Sequence, residues 1–193
     1  VPESVWEKTQ LLFVCSPGNP TGAVMGLDEW KLLFELSDRY GFVIASDECY
    51  SEIYFREEPP LSGLEAAAKL GVKDFRNLIA FTSLSKRSNV PGMRSGFVAG
   101  DAAIIKQFLL YRTYHGSAMS PVVQSASIAA WNDETTAKNT RRSSQGAADI
   151  DFWSVQENQR LVAHNAIHSD LQTPWSDYLV RAAGARRAPW SSP

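Results

Sequence analysis

The chain has 193 residues, with 19 Lys and Arg set against 21 Asp and Glu for a formal net charge of −2. That length is enough to bury a real core, and the near-neutral balance gives no electrostatic case for a nucleic-acid or membrane-surface partner. No apolar run approaches the roughly 20 residues that span a bilayer, and Val1-Pro2-Glu3 opens without a basic and apolar leader, so a soluble chain is expected, starting inside a longer protein.

Taken in order, the short apolar runs Leu11–Cys15, Phe42–Ala45, Leu78–Phe81 and Gly96–Ala99 read as strands separated by longer stretches, some with a helical period. This alternation predicts an α/β fold with a mostly parallel sheet and flanking helices. Between the first two runs, Trp30, Leu33, Phe34 and Leu36 recur at near 3.6-residue spacing and Gly41 follows, which predicts an amphipathic helix over Leu27–Tyr40 with a glycine C-cap. Asp101 precedes an apolar helical stretch and is its expected N-cap, and Ser120-Pro121 opens a helix reaching about Trp131. Up to Glu134, Leu, Ile, Val and Phe make up 37 of 134 residues; beyond it they are 9 of 59. Residues 1–134 are therefore expected to form the packed domain, and residues 135–193 an atypical tail, disordered, frame-shifted or fused from elsewhere.

Chemistry-bearing residues fall where strands end. Asn19 lies in Asn19-Pro20-Thr21-Gly22, where Pro20 restricts the backbone and aims the amide, although an ordinary turn has the same composition. Asp47, in Asp47-Glu48-Cys49-Tyr50, closes the second apolar run; it is placed either as a carboxylate partner for a cofactor or as a plain Asx-turn. Tyr50 offers a phenol to a ligand or an amphipathic ring to the surface. Lys86 follows the third run in Thr82-Ser83-Leu84-Ser85-Lys86-Arg87, and Arg94 stands eight residues later, beyond Pro91-Gly92. A lysine of this kind becomes a nucleophile when desolvated, and Arg94 with Ser83 suits a phosphate ester, against the plainer roles of surface charge and helix cap; Ser85 is evenly balanced. Together these groups meet the demands of pyridoxal 5'-phosphate (PLP): an amine for its aldehyde, a carboxylate for its ring nitrogen, donors to its phenolic oxygen and an anchor for its phosphate. His115 is read as structural at a helix end, Cys15 and Cys49 as small buried groups in a reduced, cytoplasmic setting, and His164 with His168 as lacking a third metal ligand.

With these residues in view, Val1 to Glu134 resembles the central part of the PLP-binding large domain of class I/II, fold-type I aminotransferases. Within that family, the segments 85–96 and 112–116 look most like bacterial N-succinyldiaminopimelate aminotransferases. The resemblance implies that Lys86 holds the cofactor as a Schiff base, Asp47 faces the pyridine nitrogen, Asn19 and Tyr50 bind the phenolic oxygen, and Ser83 and Arg94 bind the phosphate. It implies amino transfer between N-succinyl-diaminopimelate and 2-oxoglutarate or glutamate in lysine biosynthesis, small-molecule substrates only, and a homodimer in the complete form. Another fold-type I aminotransferase or lyase, or a PLP-binding fragment without turnover, are the alternatives. Segments with counterparts of the family's N-terminal phosphate loop and its substrate-carboxylate arginine are not found in the chain.

Overall fold

The computed structural model describes residues 1–55, 57–116 and 118–142. Residues 143–193, including His164 and His168 and most of the expected tail, lie outside the described residues. Four strands form one sheet in the order β1 (Leu11–Cys15), β2 (Val43–Asp47), β3 (Leu78–Ser83), β4 (Gly96–Gly100). The first three run parallel, with Cys15 beside Asp47 and Asp47 beside Phe81, and β4 returns antiparallel to β3. The sheet is thus mixed, mostly parallel and flanked by helices, as the resemblance implied. A short helix α1 (Glu3–Trp6) precedes β1; parallel neighbours require crossovers, which here carry α2 (Leu27–Tyr40) and α3 (Gly63–Leu70).

Helix α2 forms over the expected residues. Its Glu29 carboxylate accepts the Gly26 N–H at 2.7 Å, and Gly41 ends it at φ 75°, a left-handed conformation that costs a glycine little. Trp30, Leu33 and Phe34 turn inward and join Leu12, Phe42, Ile44, Ala66, Ala67 and Leu78 in one core between the sheet and helices α2 and α3. Trp30 is fully buried, and Gly63 passes so close that an added Cβ would lie 2.8 Å from the Trp30 ring. The opposite face of β1 is open, with Phe13 71% exposed.

β3 runs two residues further than its apolar pattern and passes directly into a one-turn helix, α4 (Leu84–Arg87). A 3₁₀ turn, Pro91–Met93, packs against α4 and leads to β4. Helix α5 (Ala102–Tyr114) is capped by Asp101, whose carboxylate accepts the Ala103 N–H at 2.8 Å and the Asn77 N–H at 2.9 Å. Those bonds favour the charged form and hold the Asp101 carboxyl below its ordinary pKa. Ser120 caps α6 (Pro121–Trp131) in the same manner. Residues 134–142 are helical, with Ala137 fully buried. No described helix is long and apolar enough to cross a membrane.

Candidate active site

The parallel strands deliver their last residues to one end of the sheet, where open α/β sheets hold ligands. Three loops leave from that end: the Asn19 loop after β1, the Tyr50 loop after β2, and the Lys86 turn after β3.

The first loop is closed on itself. The Gly18 N–H donates to the Ala23 carbonyl at 2.8 Å, the Gly22 N–H to the Gly18 carbonyl at 2.7 Å, and Gly22 takes φ 67°. Below it, the buried Ser16 hydroxyl accepts the Met25 N–H at 3.0 Å and pins the base of the loop. Asn19 therefore projects from a braced turn, and its Nδ2 donates to Tyr50 Oη at 3.0 Å.

The end of β2 is braced from two sides. Asp47 Oδ1 accepts the Cys49 N–H at 3.1 Å, so the Asx-turn foreseen as an alternative is made, and it orients the carboxylate at the strand's tip. The next side chain, Glu48, accepts the Gly63 N–H at 2.8 Å and the Ser46 hydroxyl at 2.9 Å, tying the strand end to the first residue of α3. Burial pushes the Glu48 carboxyl above its ordinary pKa against those two bonds. The pattern did not single out Glu48; the signal available was alternation, since a residue next to an outward Asp47 at a strand end turns toward the interior.

Burial also raises both thiols. Cys49 is pushed up to about 12 by desolvation and by a hydrogen bond to the Asp47 carboxylate, with Lys86 pulling the other way. Cys15 rises chiefly by burial and lies near Asp47. Both are free thiols.

Lys86 lies on α4 with its Nζ 5.6 Å from the Tyr50 ring centroid. Ser83 is the N-cap of that turn: its Oγ accepts the Ser85 N–H at 3.1 Å and lies 2.8 Å from Ser85 Oγ and 3.1 Å from the Ser95 carbonyl. Arg94 adopts a left-handed conformation at φ 50° and donates to its own turn, at the Pro91 carbonyl, over 2.8 Å. The structure thus brings Asn19, Tyr50 and Lys86 together, with Asp47 three residues before Tyr50; the contacts of Ser83 and Arg94 are local. His115 caps the end of α5 and packs against Tyr111 with ring centroids 4.6 Å apart and planes tilted by 31°. Among the described residues no cluster of three or more His, Cys, Asp or Glu could hold a metal.

The donor set fits PLP. A carboxylate turned to the carboxyl end of the sheet, a phenol and an amide sharing one hydrogen bond, and a lysine beside them are the groups the ring of that cofactor needs.

The family model for aminotransferase class I and II matches residues 2–150. An aminotransferase crystal structure from Neisseria meningitidis superposes with a TM-score of 0.74 at 62% identity, over 77% of this chain and 38% of that one. The LL-diaminopimelate aminotransferase of Dehalococcoides mccartyi is 35% identical over 68% of this chain and 33% of its own length. An N-succinyldiaminopimelate aminotransferase from Mycobacterium tuberculosis shares the fold, with a TM-score of 0.67 at 24% identity over 78% of this chain and 38% of that one. The chain spans about a third of the length of the curated relatives it matches. On the family match over most of its length, the chain belongs to the class I and II aminotransferases.

Proposed function

We propose that the chain is the cofactor-binding part of a PLP-dependent aminotransferase acting on N-succinyl-diaminopimelate with 2-oxoglutarate as amino acceptor. The observation that carries the reading is the convergence of Asn19, Tyr50 and Lys86 beside Asp47 at the carboxyl ends of β1, β2 and β3. When bound, PLP supplies an electron sink that makes the substrate Cα–H acidic. Lys86 supplies the amine that holds the cofactor aldehyde and afterwards carries the proton to and from the substrate Cα. Asp47 keeps a negative charge at the ring nitrogen, and Asn19 and Tyr50 donate hydrogen bonds to the phenolic oxygen. Arg94 and Ser83 would hold the phosphate, the first by its planar charged fork and the second by its hydroxyl.

The diaminopimelate-type substrate is supported by segments 85–96 and 112–116 and by the LL-diaminopimelate aminotransferase relative. A homodimeric, cytoplasmic complete form belongs to the same reading. The exposed Leu109, Leu110 and Tyr114 of α5 support a surface that is covered in it, and the two free thiols suit a reducing compartment.

The test is spectroscopic first. Added PLP is expected to give the long-wavelength band of a lysine-bound cofactor, and the band is lost in Lys86→Ala. Glutamate is then expected to appear in step with consumption of N-succinyl-diaminopimelate. Equal binding by Lys86→Ala would sink the reading, and binding without glutamate would leave a cofactor-binding unit without turnover.

A further inference from the structure

The Lys86 turn and the Tyr50 loop are each held by an arginine contact to two consecutive helices, α6 and residues 134–142. Arg87, next to Lys86, is 6% exposed. Its Nη1 donates to the Ala130 carbonyl at 2.9 Å and to Ser88 Oγ at 3.4 Å, its Nη2 pairs with the Glu134 carboxylate, and its guanidinium lies 5.3 Å from the Trp131 ring centroid. Arg141 reaches the other loop. Its Nη2 pairs with Glu52 Oε2 at 2.6 Å, its Nε donates to the Glu52 carbonyl at 3.1 Å, and its guanidinium lies 4.2 Å above the Tyr54 ring.

Glu52 stands two residues after Tyr50 in a tight turn, where the Ser51 N–H donates to the Glu48 carbonyl at 3.0 Å and the Ile53 N–H to the Tyr50 carbonyl at 2.9 Å. A shift of Glu52 is therefore passed to Tyr50. On the helix, Glu134 and Arg141 are seven residues apart, two turns on one face, which separates them by about 10 Å along the axis. Ala137 between them is fully buried, so the spacer is packed on the body of the protein.

We propose that Arg87 and Arg141 are positioning residues that set the spacing of Lys86 and Tyr50 through α6 and the helical residues 134–142, which follow it across Asn132 and Asp133. The proposal rests on the functional reading above, and it assigns a role to two arginines that are given no contact with the cofactor. The direct Lys86–Tyr50 approach is a cation–π contact at 5.6 Å, which is soft in distance and leaves the spacing to the two struts. Arginine suits both places because its planar, permanently charged fork bonds a carboxylate and a carbonyl together while its face stacks on an aromatic ring.

Hydrogen exchange on the full chain without cofactor tests the struts. In Arg141→Ala and in the milder Glu52→Gln, exchange over residues 48–55 is expected to rise about tenfold, with residues 30–44 unchanged. Glu134→Gln is expected to do the same for residues 84–90. With PLP added, Arg141→Ala is expected to lower affinity about tenfold, and Arg141→Lys to recover only part of it because an ammonium lacks the fork. Unchanged exchange over 48–55 in both variants would overturn the proposal, as would a uniform rise that includes residues 30–44. If the unmutated chain shows no cofactor band, the functional reading fails while the exchange result still decides for or against the struts.

Discussion

Asn19 Nδ2 donates to Tyr50 Oη at 3.0 Å, joining the loop after β1 to the loop after β2. Because the bond is exposed, its contribution to folding is small, and its effect is expected in cofactor binding. Asn19→Ala and Tyr50→Phe should each weaken PLP affinity about tenfold, a loss of about 1.4 kcal/mol, while the thermal midpoint hardly moves. The double variant should lose less than the sum, since the two groups act on one oxygen. Fluorescence titration of the three variants checks this, and full additivity would contradict the shared role.

The buried Glu48 carboxyl has a pKa above its ordinary value of 4.5. Below 4.5 the folded and unfolded forms are both protonated; above it the unfolded form gives up its proton first, so the folded form loses relative stability as pH climbs through the folded pKa. Urea unfolding of the parent and of Glu48→Gln should therefore show the difference moving against the parent from below 4.5 toward neutral pH. The reverse slope would show that the Gly63 N–H and the Ser46 hydroxyl outweigh desolvation. Glu48→Ala, which leaves the Gly63 N–H without its partner, should cost about 1–3 kcal/mol below pH 4.5, and the cost should shrink as pH rises.

With its pKa near 12, the Cys49 thiol is protonated at pH 8 in all but about one molecule in ten thousand, and thiolate is the reactive form. Alkylation by iodoacetamide, followed by mass spectrometry, should be far slower for native Cys49 than for the same residue in guanidinium. Asp47→Asn removes a charge that raises this pKa and should speed the reaction. Rapid native alkylation would refute the burial argument.

Gly63 is required by close approach rather than by backbone freedom. A methyl group there would meet Trp30 at 2.8 Å and Glu48 Oε1 at 3.3 Å. Gly63→Ala should therefore destabilise by about 1–3 kcal/mol despite alanine's better helix propensity, and Trp30→Ala by about 3–5 kcal/mol. Denaturant midpoints at constant slope would measure both, and a stabilising Gly63→Ala would show that the indole has room to move.

Local patterns were legible because their causes are local. The helix over Leu27–Tyr40, its Gly41 cap, the Asp101 and Ser120 caps and the strand at Leu11–Cys15 all follow from spacing and capping chemistry within a few residues. Helix α3 was not foreseen, since its eight residues make barely two turns in which a helical period can repeat. The antiparallel return of β4 was also unannounced, because α4 and the Pro91–Met93 turn that reverse the chain are too short to leave a period.

By itself, the order of the amino acids determined the strand and helix alternation, and with it the placing of Asn19, Asp47, Tyr50 and Lys86 at strand ends. It did so because side-chain period and capping act over one or two turns. Only the tertiary structure decided which of those groups meet. The Asn19–Tyr50 bond, the Lys86 approach, the anchoring of Glu48 on α3 and the arginine struts to 121–142 are contacts between distant residues, set by sheet register and core packing. Two backbone segments adjacent in space leave no mark of that adjacency on either one's local pattern, which is why the brace around the lysine became visible only in the fold.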